Sequence, residues 1–480
     1  MIRPFGKLLA NVKYLPACVN YRDDSDGLPG MTTYARRLGL FSGTMAVIGG
    51  IVGAGIFRTP AAVAQRVPSS GAALGAWVVG GAVALIGAFC FAELGQRRPQ
   101  AGGGYVYLRE AWGALPAFLY GWALLLVIAT GAIAAVAVTF ASYALALGGF
   151  SERFTVPVAI SAIAVLSAVN YLGVKPAAFT QNLFTLLKLA ALAALIVIGL
   201  GATPLPASAA STAPAHTGSF LASIGVALTP ILFTYGGWQQ TNFIAEEIVD
   251  AERTLPRALV LGVAGVVVVY LLANLAYLRV LGHAGLAAST APAADLMKAR
   301  LGPAGGALIA AGIAVSTFGF LNLVILVTPR VLQAMAADGV FFPRLARLHP
   351  TYRTPTAAIL LQAAWAAALT LSGTFAQLVD YVAFGDWIFF GLTVAGLFRY
   401  RARDRALGVQ QPLGAFRVPG YPWTPGLFVV AATYVVVSSV LASPRNALIG
   451  CGLLPLGLPV YAYWHWFAGD RTQEHRDAIP

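Results

Sequence analysis

Long apolar runs, separated by short polar segments, make up most of the chain. A helix needs about 20 mostly apolar residues to cross a membrane, and twelve runs meet that length. They cover roughly residues 38–66, 72–95, 114–146, 154–173, 179–202, 219–248, 256–281, 304–336, 355–374, 378–399, 423–442 and 446–467. The first, third, sixth and eighth runs are longer than a straight span requires, so we expect a tilt or an interruption in each. The pattern predicts an all-α membrane protein with 12 transmembrane helices.

The composition excludes several other classes of protein. Hydrophobic types make up 58% of the 480 residues and charged types only 10%, whereas a soluble globular protein has about 25% charged residues. So few charged residues cannot cover a surface in water. A cytosolic enzyme and a nucleic-acid-binding protein are therefore excluded, despite the net charge of +13.

The sequence lacks the usual motifs of catalysis and metal binding. The three cysteines, Cys18, Cys90 and Cys451, lie far apart and match no metal or redox spacing. There is no GxxxxGKS or GxxxxGKT nucleotide motif and no HExxH zinc motif. We therefore expect a protein that is not an enzyme, with no catalytic residues, no metal ion and no cofactor.

The distribution of lysine and arginine indicates the orientation in the membrane. Cytoplasmic loops carry an excess of Lys and Arg. If both termini lie in the cytosol, 23 of the 31 Lys and Arg residues are cytosolic, seven lie on the other side, and Lys188 lies within a span. This asymmetry predicts an even number of spans, with both termini on the cytosolic side of a bacterial-type inner membrane.

The polar segments complete the predicted organisation. Residues 1–37 contain no signal-peptide pattern and are predicted to be a cytosolic tail. Residues 203–218 are low in complexity and predict an extracytoplasmic loop. Residues 96–112 mix aromatic and basic types, which favours an interfacial helix on the cytosolic side. Residues 400–422 are predicted to be a cytosolic loop and residues 468–480 a cytosolic C-terminal tail.

Glycine clusters lie inside two of the long runs. The first run has five glycines between 43 and 55, and the sixth has Gly236 and Gly237 at its middle. Close helix packing through small residues explains one such cluster well. However, each cluster lies in the first long run of a block of five, at 38–202 and at 219–399. Because five is odd, the second block starts from the opposite side of the membrane. The pattern predicts an inverted repeat with a transport site at the two interruptions.

An interrupted pair of helices suits a zwitterionic ligand. Unwound backbone at membrane depth persists only where protein or a water-filled cavity satisfies its polar groups. Half-helix N-termini offer free N–H groups and a positive dipole end to a carboxylate, and half-helix C-termini offer free carbonyls to an ammonium group. An α-amino acid carries both groups on one carbon.

Several stretches resemble the amino acid–polyamine–organocation superfamily, in its L-type amino acid transporter-like branch. In chain order these are GGIVGAGIF (49–57), FAELGQRRPQAGGGYVYLREAWG (91–113), TLLKLAAL (185–192), FTYGGWQQTNFIAEEI (233–248), residues 318–343 and YVAFGDWIFFGLT (381–393). The resemblance implies the LeuT-type fold. Two inverted repeats of five helices, here 38–202 and 219–399, would precede two C-terminal helices, here 423–467.

The resemblance also implies where the substrate carboxylate binds. It assigns this group to backbone N–H groups around Gly53, Ala54 and Gly55. The family often has serine where this chain has Ala54, so only main-chain donors would remain at that position.

The other end of the substrate is assigned in the same way. The resemblance gives the α-amino group to carbonyls near Ile51, Phe233, Thr234 and Gly236, with Phe233 as an aromatic gate over the substrate. Gly236 and Gly131 are small enough to leave room for the substrate side chain, although helix packing explains Gly131 equally well.

Lys188 is an ionisable residue inside the fifth run. An ionisable side chain is energetically costly within the membrane, so its presence there indicates a function. The alternative is that the Lys188 head group reaches water at the cytosolic end of its helix. The resemblance puts Lys188 where sodium-coupled proteins of this fold bind sodium, as a coupling residue between the first and eighth helices. A fixed cation and a carrier of the coupling proton both fit this position.

Three acidic residues complete the candidates. The positions of Asp386 and Trp387 face the distal part of the substrate pocket in L-type transporters, so Asp386 is predicted to recognise a polar or cationic side chain. A carboxylate bonded to its own helix end is the alternative. Glu246 and Glu247 end the sixth run and are expected to pair with basic residues of a cytosolic gate.

These features predict a secondary active transporter that carries amino acids by alternating access, as a proton symporter or an amino acid exchanger. The alternatives are a cationic amino acid or polyamine permease of the same superfamily and, more remotely, a sensor that transports nothing. Expected partners are the amino acid, the proton in the case of symport, and the lipid bilayer, without nucleic acid. Heteromeric animal relatives use a cysteine in the loop that corresponds to 147–153. This loop contains no cysteine, so no disulfide-linked heavy chain is expected.

Overall fold

The computed structural model describes residues 33–201, 220–373, 375–409, 412, 414–442 and 444–467. Within these residues the chain is helical, and the one extended pairing is an isolated bridge between Leu38 and Ile248. The predicted loop 203–218, the tail 468–480 and most of the tail 1–37 lie outside the described residues.

The described residues form a succession of helices along the chain. They are α1 (Leu40–Ile51), α2 (Thr59–Ala64), α3 (Ser70–Arg97), α4 (Gly104–Trp112), α5 (Ala114–Ala123), α6 (Ala129–Gly148), α7 (Thr155–Tyr171), α8 (Val174–Gly201), α9 (Phe220–Thr234), α10 (Ala251–Ala288), α11 (Pro292–Leu301), α12 (Pro303–Ala337), α13 (Thr356–Ser372), α14 (Phe375–Leu407), α15 (Trp423–Ala442), α16 (Pro444–Leu453) and α17 (Gly457–Phe467).

Seven helical segments in the described part of the chain are long and apolar enough to cross a membrane. They are Ser70–Arg97, Ala114–Gly148, Glu152–Tyr171, Val174–Gly201, Ala251–Ala288, Pro303–Ala337 and Trp423–Ala442. α1 and α13 are shorter apolar helices. The prediction of an all-α membrane protein is thereby confirmed, while the count of twelve spans remains a prediction.

Three of the four overlong runs are interrupted. In the first run, a 3-10 turn at Gly55–Phe57 separates α1 from α2. In the third, a π-helical segment at Leu124–Ile128 joins α5 to α6. In the sixth, α9 gives way to a 3-10 helix at Trp238–Glu247. The eighth run differs, because α12 continues for 35 residues and contains Pro329 without ending there.

Two further segments differ from the sequence expectation. The twelfth run is divided into α16 and α17 by a turn that contains Pro455, which lacks the N–H that a continuing helix needs. The segment 96–112 does contain a helix, α4. However, the aromatic residues Tyr105 and Tyr107 are fully buried in the protein instead of lying at an interface.

Small residues let the central helices approach closely. α1 packs against α8, α10 and α12, and α12 also packs against α6 and α8. A Cβ atom on Gly262 of α10 would lie 2.5 Å from Cγ1 of Val47. Such contacts between small residues are the usual basis of helix packing in membranes, and here they position the interrupted helix α1.

Candidate functional site

A cavity of about 520 Å³ lies where the two interrupted runs meet. α5, α6, α12 and α14 provide the rest of its wall. The volume is within the range of small-molecule sites, about 300–1,000 Å³. Nine of the ten predicted substrate-binding residues line this cavity: Ile51, Gly53, Ala54, Gly55, Phe233, Thr234, Gly236, Asp386 and Trp387.

Gly131 is the predicted residue that the cavity wall does not include. It is buried on α6, while Ala129 and Ala132 of the same helix line the cavity. Its proposed role in leaving room for the side chain remains a prediction, and the packing explanation agrees with this position.

The first break begins where α1 ends. Val52 adopts an extended conformation with φ −77° and ψ 92°, and the Gly53 N–H turns back to donate to the Ile51 carbonyl at 2.9 Å. The chain becomes helical again at Gly55. N–H groups at the start of a helix have no acceptor within it. Around Ala54 and Gly55 such groups adjoin the cavity, where they suit a carboxylate.

Side chains from three other helices bind the carbonyls of the first break. Lys188 Nζ donates to the carbonyls of Gly49 at 3.1 Å and Val52 at 2.7 Å. Tyr270 donates its hydroxyl to the Ile51 carbonyl at 3.1 Å. Ser316 Oγ lies 3.2 Å from the Val52 carbonyl oxygen. The end of α1 is thus held to α8, α10 and α12 by hydrogen bonds to its main chain.

Lys188 itself is enclosed by protein. Its side chain is 0% exposed, so its head group does not reach water at a membrane surface. The Nζ atom also lies near Gly319 of α12, because a Cβ atom at that glycine would be 3.5 Å away. Lys188 therefore lies between α1 and α12, the first and eighth runs, as the resemblance implies. Its role in coupling remains a prediction.

The second break lies directly against the first. Gly237 has φ +108°, a left-handed conformation that glycine adopts without strain. A Cβ atom there would lie 2.1 Å from the Gly50 carbonyl oxygen. The Gly237 N–H donates to Oε1 of Gln239 at 3.0 Å, and the Gly236 N–H donates to the Phe233 carbonyl at 3.1 Å. Glycine is required at position 237 because the main chain there crosses the main chain at Gly50 with no space for a side chain.

The two interrupted runs also meet through side chains. The hydroxyl groups of Thr234 and Thr59 are hydrogen-bonded to each other, with their Oγ1 atoms 2.9 Å apart, while Thr234 also donates to the Pro230 carbonyl at 2.8 Å. Phe233 is partly buried and packs at the edge of the core. The Thr234 side chain also lies about 3 Å from where a Cβ atom of Gly55 would be. Thr234 therefore leaves little space at Gly55 for any side chain.

Asp386 and Trp387 line the cavity from α14. The Asp386 carboxylate has no hydrogen bond or ion pair to another of the described residues. Trp387 stacks on Phe428 with ring centroids 5.9 Å apart. Tyr120 lines the same cavity and lies close enough to interact electrostatically with Asp386. An unpaired carboxylate in a largely apolar wall suits a ligand that donates hydrogen bonds.

An ion pair and the contacts around it lie at one end of the molecule. We call it the basic end and define it by Tyr34, Leu38, Glu247 and Arg330. Arg330 and Glu247 form an ion pair of 2.8 Å with side chains that are 0% and 1% exposed. The N–H group of Leu38 donates to the Glu247 carbonyl at 3.0 Å. The Arg330 guanidinium lies 5.8 Å from the Tyr34 ring centroid. The expected pairing of Glu247 with a basic residue is present.

The helix α4 adds a second set of contacts at the same end. Asp338 pairs with Arg109 and accepts a hydrogen bond of 2.7 Å from Tyr105. Burial works against the charge of Arg109, but Asp338 outweighs it and raises the pKa of the guanidinium. Glu246 accepts from the Ala101 N–H at 3.2 Å and is not in an ion pair with any described residue.

The sequence reasoning missed several residues that the structure brings to the site. Tyr270, Ser316 and Gln239 bind the backbone at the two breaks, and Tyr277 donates to the Ile56 carbonyl at 3.2 Å. The available signal was polarity inside an apolar run, as in VVVVYLL around Tyr270. Such residues indicate function in membrane helices.

A family model now identifies the chain. The model described as "Amino acid permease" matches residues 38–450. The chain therefore belongs to the amino acid permease family, and the predicted membership of the L-type-like branch of the superfamily is confirmed.

Individual relatives agree with this assignment. The chain is 32% identical over 448 residues to the b(0,+)-type amino acid transporter 1 of Homo sapiens, covering 90% of this chain and 88% of that protein. It is 33% identical over 436 residues to the serine/threonine exchanger SteT of Bacillus subtilis (strain 168), covering 89% and 96%. It is 30% identical over 448 residues to the large neutral amino acids transporter small subunit 2 of Homo sapiens, covering 89% and 81%. These relatives are transporters, so at the family level the chain is a multi-pass permease and not an enzyme.

Proposed function

We propose that this permease is a secondary active transporter that exchanges amino acids by alternating access. The observation that carries the proposal is the meeting of two helix breaks in one cavity. Free N–H groups near Ala54 and Gly55 face the same space as carbonyls near Phe233 and Gly236. An α-amino acid has the charged groups that both ends of this space require.

The proposed architecture has twelve spans with the LeuT-type arrangement. α1 with α2, and α9 with the 3-10 helix that follows it, are the first spans of two inverted repeats at 38–202 and 219–399. The last two spans lie in 423–467. The matching position of the two breaks supports this arrangement.

In the proposed binding mode the substrate carboxylate lies against the N–H groups of Ala54 and Gly55. The Gly53 N–H already donates to the Ile51 carbonyl, so it contributes less to the carboxylate than the sequence suggested. The ammonium group of the substrate lies near carbonyls of the second break, beneath Phe233. The Ile51 carbonyl already accepts from Tyr270 and from Gly53, so it contributes less to the ammonium than the sequence suggested.

The substrate side chain extends toward Asp386 and Trp387 in this proposal. The unpaired carboxylate then selects a side chain that donates hydrogen bonds over a purely aliphatic one. An SteT-like preference for hydroxylated amino acids is compatible with that wall, and the description of SteT as a serine/threonine exchanger supports exchange over symport.

Lys188 acts as a fixed cation in this proposal. Its two hydrogen bonds to α1 replace a bound metal and hold the first break in shape. A proton carrier has to release its partners during the cycle, whereas a fixed cation keeps the first break intact whatever the pH gradient.

The proposed topology puts both termini and the basic end in the cytosol of a cell with a bacterial-type inner membrane. The excess of Lys and Arg at that end supports it. Working without a disulfide-linked heavy chain is part of the proposal, because the loop 147–153 contains no cysteine. The relative that transports large neutral amino acids is described as a small subunit. In this proposal the two proteins therefore differ in their assembly with another chain.

The test is uptake of labelled amino acids into proteoliposomes. Vesicles preloaded with unlabelled amino acids are compared with empty vesicles under an inward proton gradient, for wild type and Lys188→Ala. Uptake only into preloaded vesicles, with a pH dependence that the variant shares, supports exchange with a fixed cation. Gradient-driven uptake that is lost in Lys188→Ala would instead make Lys188 the proton site of a symporter. No uptake of any amino acid under either condition would refute the transporter itself.

A further inference from the structure

Four buried polar side chains form a hydrogen-bonded chain beside α1. Asn170 of α7, Asn322 of α12 and both Gln181 and Thr185 of α8 are each no more than 1% exposed. Asn170 Nδ2 donates to Asn322 Oδ1 at 3.1 Å, and Asn322 Nδ2 donates to Gln181 Oε1 at 3.0 Å. Gln181 Nε2 donates to Thr185 Oγ1 at 3.2 Å. We call these four residues the amide chain.

The amide chain ends on the main chain of α1. Thr185 accepts from Gln181 and donates its own hydroxyl proton to the Met45 carbonyl at 3.2 Å. An amide side chain has an acceptor oxygen and donor hydrogens, and every link here uses them in the same direction. The proton of Thr185 is directed to Met45 because its lone pairs receive Gln181. Two of the amide groups also bind main-chain carbonyls outside α1: Asn170 Nδ2 donates to Leu166 at 2.8 Å, and Asn322 Nδ2 donates to Ala177 of α8 at 3.2 Å.

The surrounding contacts leave no space between the amide chain and α1. A Cβ atom on Gly49 would lie 2.0 Å from Gln181 Nε2 and 2.6 Å from Thr185 Oγ1. One turn nearer the basic end, Asn182 Nδ2 donates to Ser42 Oγ at 3.0 Å. α1 and α8 are thus joined by a ladder of polar contacts on the same side of the first break as the basic end.

Such a chain is unusual in a helix interface that lipid surrounds. Buried amides are costly unless they are bonded, and small apolar residues would pack these helices without that cost. Three of the four side chains never touch α1 through a hydrogen bond. Within the amide chain, the hydrogen bond to α1 is the one that the Thr185 hydroxyl donates.

We propose that Gln181 and Asn322 are positioning residues that act through Thr185 to hold α1 in its closed position, and that the Thr185–Met45 bond breaks when α1 opens the cavity toward the basic end. This inference rests on the proposed alternating-access function. It differs from the role of Lys188, because it concerns the part of α1 before the break and involves no charge.

The proposal predicts how α1 moves when the amide chain is broken. An interhelical hydrogen bond in a membrane shifts an equilibrium by about threefold on average and by up to about twentyfold. Loss of the Thr185 proton should therefore favour the open position of α1 by about threefold. Loss of Asn322 should have a similar effect, although Asn322 forms no bond to α1.

The experiment measures exposure of α1 from the basic end. The reporter is Ala46→Cys, a buried position of α1, in protein whose Cys18, Cys90 and Cys451 are replaced by alanine. Labelling by a membrane-impermeant maleimide is compared for Thr185→Val, Thr185→Ser, Asn322→Ala and Asn274→Ala. Asn274 is the matched control, since it is buried on α10 and its amide donates to Tyr270 of the same helix at 2.8 Å.

The expected result is labelling about threefold faster in Thr185→Val and Asn322→Ala, and unchanged in Thr185→Ser and Asn274→Ala. The double variant Thr185→Val/Asn322→Ala should label no faster than Thr185→Val, because both changes remove the same bond. An unchanged rate in Asn322→Ala, additive effects, or an equal increase in Asn274→Ala would overturn the proposal.

Two features keep the result interpretable. Thr185→Val conserves the shape of the side chain, and Thr185→Ser conserves its hydroxyl. These two variants therefore test the Thr185–Met45 bond even if Asn322→Ala does not fold. Uptake by wild-type vesicles is measured separately. If wild type transports nothing, the proposed function fails, while the labelling rates still decide whether the amide chain holds α1.

Discussion

The two helix breaks meet at one cavity but are stabilised in different ways. At the first break, Lys188, Tyr270 and Ser316 bind carbonyls on either side of Val52. At the second, Gln239 accepts from the Gly237 N–H, Thr234 donates to the Pro230 carbonyl and Asn242 donates to the Gln239 carbonyl. The first break is capped by donors from three other helices. The side chains that cap the second belong to the interrupted run itself.

This difference indicates which break depends on the substrate. Unwound backbone in a membrane needs partners, and the first break has them before any ligand arrives. At the second break the Phe233 carbonyl accepts from the Gly236 N–H but has no side-chain donor among the described residues. A substrate ammonium group therefore adds most at the second break. We expect the second break to reorganise on binding while the first stays in shape.

The largest expected effect is that of a substitution at Gly237, where the two breaks are in contact. Gly237→Ala places a Cβ atom 2.1 Å from the Gly50 carbonyl oxygen and strains a residue at φ +108°. Strain alone costs about 1–3 kcal/mol, and the backbone clash adds to it. We expect thermal unfolding in detergent to show a large loss of stability, and uptake to fall to background.

The matched control is Gly53→Ala, at the other break. No atom lies within 4 Å of a Cβ built there, so its melting temperature should stay near that of wild type even if uptake changes. A Gly237→Ala protein that melts with wild type would contradict the close backbone crossing.

The next effect tests the donors of the first break. Lys188→Met keeps the length of the side chain but leaves the carbonyls of Gly49 and Val52 without its ammonium group. Hydrogen bonds to charged groups contribute about 1.5–3 kcal/mol, so we expect exchange to fall at least about tenfold. Lys175→Met, an exposed residue of the same helix α8, should leave exchange unchanged. If Lys188→Met retained more than half of the wild-type rate of exchange, the hydrogen bonds from Tyr270 and Ser316 would be sufficient to hold the first break.

These two predictions also show what the sequence could reveal about the fold. The length of the apolar runs and the two glycine clusters were sufficient to predict an all-helical membrane protein with breaks in the first and sixth runs. They could not show the π-helical segment at Leu124–Ile128, because LLLVI is as compatible with an unbroken α-helix. Nor could they show that α4 is buried, since Tyr105 and Tyr107 suit a membrane interface equally well.

The site was only partly accessible to the same reasoning. Gly53, Phe233 and Asp386 were found because each belongs to a contiguous motif of the superfamily that the sequence resembles. Tyr270 and Ser316 were missed because the contact with Ile51 or Val52 joins residues more than 200 positions apart. A single sequence gives their polarity within apolar helices, but not which carbonyl they face.

A smaller effect is expected from the loss of Gln239, which caps the second break. Gln239→Leu leaves the Gly237 N–H without its acceptor, and an unsatisfied buried donor costs about 1–3 kcal/mol. We expect exchange to fall about fivefold, which is less than for Lys188→Met. The control is Gln362→Leu, because both amide atoms of Gln362 on α13 are buried without a partner among the described residues. That change should be neutral or stabilising, and an equal loss in both variants would argue against a specific cap.

The smallest expected effects separate the break from the helix that follows it. Tyr270→Phe removes the donor to Ile51 at the end of α1, whereas Tyr277→Phe removes the donor to Ile56, inside the 3-10 turn. One interhelical hydrogen bond in a membrane contributes about 0.6 kcal/mol on average. We expect Tyr270→Phe to lower the rate of exchange about threefold and Tyr277→Phe to lower it less than about twofold. The Ile56 carbonyl lies beyond the unwound residues, so its loss of a donor leaves the first break intact. Equal losses from the two variants would show that α10 supports the whole first run evenly, and that the first break has no special dependence on its capped carbonyls.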